Sequence, residues 1–224
     1  LLKDIEALAA EHPIKNVYDL LEHAYYVLQE ATSDAPEAAQ EIIVQRLLPW
    51  LITADQPESA GLARGISRDT LSDWINQYPE KAREKLLHSC LDILSEALRS
   101  KPTVDLCWTI SGLGYWRSDL VAGLWEIVRR DDGDLGDVAL RALTRLGPRE
   151  PERPHLLEEL HRRIERRMTT PLLAALNDIA DVSTIPVLGR CFEQEAGDRE
   201  ASFARTLALV ALSTIADKHD TDLS

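Results

Sequence analysis

Nucleophilic and metal-dependent chemistry needs cysteine, histidine or carboxylate side chains held together. Here Cys90, Cys107 and Cys191 lie far apart, each in an apolar stretch. That pattern reads as buried thiols in a reducing compartment, not as nucleophiles or disulfide partners. His12, His23, His88, His155, His161 and His219 are scattered, and no two stand at the spacing that places both imidazoles on one helix face. Neither a glycine-rich phosphate loop nor a nucleophile elbow occurs. Carboxylates are plentiful, but none is marked out as an acid or a base. The expectation is therefore a non-enzyme, with no catalytic residue, no metal and no cofactor.

Three clusters have the chemistry of recognition instead. Trp108, Tyr115, Trp116 and Trp125 lie near Arg117, and Trp and Arg are common interface anchors. Tyr115, Trp116 and Arg117 follow Gly114 in a turn and are the first candidates for partner contact. Trp108 and Trp125 are expected to fill gaps between helices. Asp131, Asp132, Asp134 and Asp137 surround Gly133 and Gly136. A solvated, helix-capping loop is expected there, with a basic partner or a cation as the alternative. EF-hand spacing is absent. Arg162, Arg163, Arg166 and Arg167 stand beside Glu158, Glu159 and Glu165. Acids about one turn before bases favour mutual pairing on a solvated helix face; phosphate or nucleic-acid contact is the alternative.

The elements that must position these clusters repeat. Ile110-Ser111-Gly112-Leu113-Gly114 is echoed by phrases beginning at Leu143, Leu176 and Leu212, at spacings of 33, 33 and 36 residues. Such a period marks stacked helical units. Leu140, Leu143 and Leu146 keep one stripe of a helix apolar, as do Leu173, Leu176 and Ile179, and Leu209, Leu212 and Ile215. Ala142, Ala175 and Ala211 allow close helix approach. Gly114 and Gly147 suit helix ends that need a left-handed residue. A second helix is expected after the first three phrases: one capped by Ser118 or Asp119, one restarting at Leu156 beyond a proline-rich linker, and one with Pro186 in its first turn.

The stretch Leu173-Ala174-Ala175-Leu176-Asn177-Asp178-Ile179-Ala180-Asp181, followed by Ile185-Pro186-Val187-Leu188, resembles HEAT-like repeats of the bacterial kind also found in phycobilin lyases. The resemblance covers about Val104 to the end. It implies an all-α fold, an α-solenoid of HEAT-like helix–turn–helix repeats, and says little of function. The linker of Pro148, Pro151 and Pro154 and the aromatic residues of the first unit depart from the family pattern. His-Glu dipeptides, which resemble the metal-binding pairs of the HEAT-repeat deoxyhypusine hydroxylases, are absent, which counts against that enzymatic use of the fold.

Residues 1–102 read as a helical region, either degenerate repeats or a cap, and 103–224 as the repeats. Asn16 or Asp19 would open one helix, and Ser33 or Asp34, with Pro36, a second. A third would run from Pro79 to about Ser100. No strand-like alternation of useful length occurs. The chain of 224 residues is 45% hydrophobic, 28% charged and 5% aromatic, as an ordered helical protein would be. No apolar run approaches the roughly 20 residues that cross a bilayer, and no cleavable leader is visible. A cytoplasmic protein is expected. The first residue is Leu1, so a piece of a larger protein is conceivable. A net charge of −13 argues against nucleic acid and anionic membranes; solubility accounts for it, with attraction of a basic protein partner as the alternative.

The functional expectation is a protein-binding scaffold or adaptor. Its contacts would include the polar positions after the aliphatic stripe, Arg141, Arg145, Asn177 and Thr214, on a surface lined by the second helix of each unit. The alternatives are an acidic immunity or inhibitor protein against a basic toxin or nuclease, and a chromophore lyase-like enzyme.

Overall fold

The computed structural model of the protein describes residues 80–149, 152–193 and 208–216, with Leu48, Ile75 and Thr206. The helices expected near Asn16 and Ser33 lie outside these residues. Every regular element among the described residues is helical, and none is a strand. Among them no helix is long and apolar enough to cross a membrane. The chain divides into two compact units, Leu1–Leu113 and Gly114–Ser224, so the division falls in the turn that opens on Gly114.

In the first unit, α1 (Glu80–Ser100) packs against α2 (Val104–Leu113). Helix α1 starts one residue after Pro79 and stops before Lys101-Pro102, as its sequence dictates. Leu86, Cys90, Leu91, Leu94 and Leu98 form its buried stripe. Leu87 and Ile93 are only half-buried. Thr103 caps α2: its hydroxyl accepts the Leu106 N–H at 3.1 Å. Burial pushes the Cys90 and Cys107 thiols up to about 12, so both are inert near neutral pH.

The second unit contains α3 (Ser118–Arg130), α4 (Asp134–Arg145), α5 (Glu152–Arg166), α6 (Thr170–Ile179), a single 3-10 turn (Val182–Thr184) and α7 (Ile185–Glu193). Helix α4 packs on α3, α5 and α6, and α5 packs on α6 and α7. Leu140, Leu143 and Leu146 are buried, as are Leu173, Leu176 and Ile179. Each such burial is worth ~2 kcal/mol. Ala142 and Ala175 are 0% exposed where α4 meets α6. Gly114 and Gly147 adopt φ of +67° and +76°, the left-handed conformation expected after their helices.

Two local expectations change. Helix α3 is entered from Arg117, not from a Ser118 or Asp119 cap. Asp119 sits inside the first turn, where its carboxylate takes two hydrogen bonds from the Arg117 guanidinium, at 2.6 and 2.8 Å. In helix 208–216, Leu209 is 58% exposed, while Ala208, Ala211 and Ile215 are buried. The inward stripe there is thus rotated toward the alanines.

Candidate functional site

Two clusters that look independent in sequence meet in space. The loop between α3 and α4 carries Asp131 and Asp132, the first turn of α4 carries Asp134 and Asp137, and the end of α5 carries Arg162, Arg163 and Arg166 with Arg167 just beyond it. Arg162 donates to Asp132 at 2.8 Å, and Arg166 donates to the same carboxylate at 3.2 Å. Arg167 donates to Asp137 at 2.8 Å and pairs with Asp134 at 3.0 Å. Arg163 is buried and central: it donates to Asp137 at 3.1 Å, to the carbonyls of Val128 and Asp131 at 2.7 and 2.8 Å, and to Glu159 at 2.8 Å. A guanidinium there meets the negative end of α3 and satisfies carbonyls that the helix leaves open.

Asp131 completes the corner. Its carboxylate accepts the N–H groups of Gly133 and Gly136 at 2.8 and 3.1 Å, which caps the start of α4. The loop therefore caps a helix as expected, and Asp132 and Asp134 stay 62% and 82% exposed while pairing with arginines; Asp137, at 2%, is taken out of solvent. The expected Glu–Arg pairing on α5 holds for Glu159, which accepts from Arg162 and Arg163. A hydrogen bond from Arg162 holds Asp132 below the usual carboxylate range. Burial works to raise Glu159, but the hydrogen bonds from Arg162 and Arg163 outweigh it and keep it low. Among the described residues, no three His, Cys, Asp or Glu side chains are grouped as they would be to hold a metal ion.

Beside this clasp a cleft of about 610 Å³ opens, lined by Trp125, Val128 and Arg129 of α3, Asp132 of the loop, and Glu152, His155, Glu159 and Arg162 of α5. Trp125, expected to fill a gap between helices, is half-buried and forms the cleft's apolar wall with Val128. Trp108 is also half-buried.

The other sequence candidates divide among several places. Trp116 is half-buried and carries the Arg149 guanidinium 3.4 Å from its ring centroid, a cation–π contact. Its indole N–H is buried without a hydrogen-bond partner. Tyr115 is half-buried, and Arg117 is paired with Asp119. Arg141 is turned inward: it donates to the Ala174 carbonyl at 2.6 Å and pairs with Asp178, which ties α4 to α6. Burial lowers the affinity of its guanidinium for the proton, against the pull of Asp178. Arg145 is exposed. Asn177 is half-buried, with an unpartnered side-chain oxygen. The Thr214 hydroxyl donates to the Val210 carbonyl at 2.9 Å. Arg141, Arg145, Asn177 and Thr214 all lie on the helices that carry the recurring phrase, not on α3, α5 or α7, the second helices of the pairs.

Sequence reasoning missed Glu152 and His155 at the cleft and the partnership of Asp137 with Arg163. One signal was available for the partnership: blocks of opposite charge lie about one repeat length apart, at 131–137 and 162–167.

A second cleft of about 620 Å³ is lined by Arg153, Pro154, Leu157, Glu158, His161, Asp181 and Ser183. His161 Nε2 shares a hydrogen bond of 3.0 Å with the hydroxyl of Thr184, which is 0% exposed. Burial holds the imidazole below its ordinary 6.5, although Asp181 and Glu165 pull upward. A folded-state value below the unfolded one means that the unfolded chain takes the proton first. The neutral imidazole therefore contributes stability that is complete above about pH 6.5 and is lost as pH falls toward the folded value. The wild-type melting temperature should thus drop between about pH 7 and pH 5, and His161→Gln should flatten that slope. Asp132, Glu159 and Asp181, all held low, lose their contributions only in more acid solution. Equal slopes for the two proteins would show that His161 does not carry this dependence.

No family model, no curated protein and no solved structure matches this chain.

Proposed function

We propose that the protein is a non-enzymatic, protein-binding scaffold built from stacked HEAT-like helix pairs and working in the cytoplasm. The observation that carries this reading is that the sequence period coincides with the packing. Phrase helices α4 and α6 pack together, as do second helices α5 and α7. The side-chain tie from Arg141 to the Ala174 carbonyl spans 33 residues, the same interval that separates the recurring phrases. Units joined in this way present a continuous face of second helices to a partner. The cleft between α3 and α5 lies on such helices and combines an indole with charged groups, the composition of interface anchors. Buried thiols at Cys90 and Cys107 agree with a reducing setting. Asp132, Asp134 and Asp137 are engaged by arginines and the Asp131 carboxylate by backbone N–H groups, so the acidic-inhibitor alternative rests on net charge alone.

The test is affinity capture from native lysate on the purified chain, followed by reconstitution with each recovered protein. One protein that rebinds the chain stoichiometrically from pure components, with hydrogen-exchange protection on α3 and α5, is the expected result. Failure of every recovered protein to rebind, or turnover of a small molecule by the chain alone, would overturn the reading.

A further inference from the structure

We infer that the α3–α5 cleft receives a lysine or arginine side chain from an otherwise apolar segment of a protein partner, an inference that rests on the protein-binding reading above. The argument starts from how the charges around the cleft are matched. Arg162 is held by Glu159 at 2.7 and 2.6 Å and by Asp132 at 2.8 Å. Glu159 and Asp132 are thereby neutralised from within the protein. Arg129, on the opposite rim, is turned toward Glu126 of its own helix at 3.4 Å. Glu152 differs from all of these. It accepts one long hydrogen bond, from the Arg149 backbone N–H at 3.4 Å, and no guanidinium pairs with it among the described residues. The nearest basic neighbour in sequence, Arg153, donates to the Ile179 carbonyl at 3.1 Å, and Arg149 has its guanidinium laid on Trp116.

The cleft thus sets an uncompensated carboxylate beside the indole of Trp125 and the apolar side chain of Val128. An aromatic face together with an anion is the combination that attracts a desolvated cation. The alkyl stem of Lys or Arg would lie along Trp125 and Val128 while its charged head meets Glu152. A volume of about 610 Å³ suits one or two side chains rather than a folded element. The net charge of −13 attracts a segment that carries even one cation, and this local pairing would then select the residue.

Four amidated pentapeptides test the inference on the full chain, each with leucines flanking a central Lys, Arg, norleucine or Glu. Binding is followed by the Trp125 indole N–H resonance, assigned by its loss in Trp125→Phe. The Lys and Arg peptides should shift it saturably, and the norleucine and Glu peptides should bind about tenfold more weakly or worse. Glu152→Gln, which keeps shape and removes charge, should weaken the Lys peptide about tenfold and leave the norleucine peptide unchanged. Equal binding of Lys and norleucine peptides, an unaltered Lys affinity in Glu152→Gln, or shifts spread over many surface residues that vanish at roughly 0.3 M salt would each overturn it. Should no peptide move Trp125, the inference falls. The scaffold reading would still stand if a reconstituted partner bound wild type and Glu152→Gln equally.

Discussion

Replacing Arg163 by methionine is expected to cost roughly 3–5 kcal/mol, because it takes one of two guanidiniums from the buried Asp137 carboxylate and leaves two helix-end carbonyls without their donor. The side chains of Arg163 and Asp137 are only 4% and 2% exposed. Methionine fills much of the aliphatic volume, so the loss tests charge and hydrogen bonding more than packing. Asp137 would keep Arg167 at 2.8 Å and the Thr169 hydroxyl at 2.9 Å, which bounds the damage. The carbonyls of Val128 and Asp131 would lose their shared donor, so the end of α3 should loosen first. Hydrogen exchange should therefore rise in α3, the aspartate loop and α5 before it rises in α1 and α2. That local readout matters because a chain of two compact units need not unfold in one step. The decisive companion is Arg163→Met with Asp137→Leu. If the cost is electrostatic, the double variant should lose clearly less than the sum of the single losses, since neither charge is left alone. Additive losses, or an Arg163→Met protein that melts with wild type, would remove Arg163 from the centre of this corner.

The contrast between fold and site in legibility has a physical origin. Helix stripes are set by local spacing, so Leu140, Leu143 and Leu146 announced their buried face without any knowledge of the partner helix. Gly114 and Gly147 were legible for a similar reason: a left-handed residue at a helix end is a one-residue requirement. The charge clasp is not local. Arg163 reaches Asp137, 26 residues away, and the Val128 carbonyl, 35 away. Local rules could pair Glu159 with Arg162 and Arg163, and they did, but they could not place the aspartate loop under the same arginines. Exposure was misjudged where two stripes compete. In helix 208–216 both the leucines and the alanines recur at helical spacing, and packing put Ala208, Ala211 and Ile215 inside and Leu209 outside. The cleft was hidden for a further reason: Trp125 and Glu152 lie on different helices and line one cleft only in the folded unit.

Gly136→Ala should be the second most damaging change, against the ordinary direction for a helix. In a free helix, alanine improves on glycine by about 1 kcal/mol. Gly136 lies in the first turn of α4, and its φ is not left-handed, so backbone preference does not demand glycine there. Space does. An added Cβ would stand 2.0 Å from the Asp131 carbonyl oxygen and 2.6 Å from an Nη of Arg163. That carbonyl is not free to move, because it accepts from Arg163 while the Asp131 carboxylate holds the Gly133 and Gly136 N–H groups. Relief of the contact must either shift α4 off α3 or eject the guanidinium. Overpacking of this kind costs about 1–3 kcal/mol or more, and the disrupted buried network adds to it. A net loss of at least about 2 kcal/mol is expected. Gly189→Ala is the matched control. It lies in α7 with nothing within 4 Å of the added carbon, so it should be neutral or stabilising by up to about 1 kcal/mol. Thermal melts of the two variants would therefore move in opposite directions. Were Gly136→Ala to melt at or above wild type, as the control should, the corner would have slack, and the close approach of the Asp131 carbonyl to α4 would not be what holds Arg163 in place.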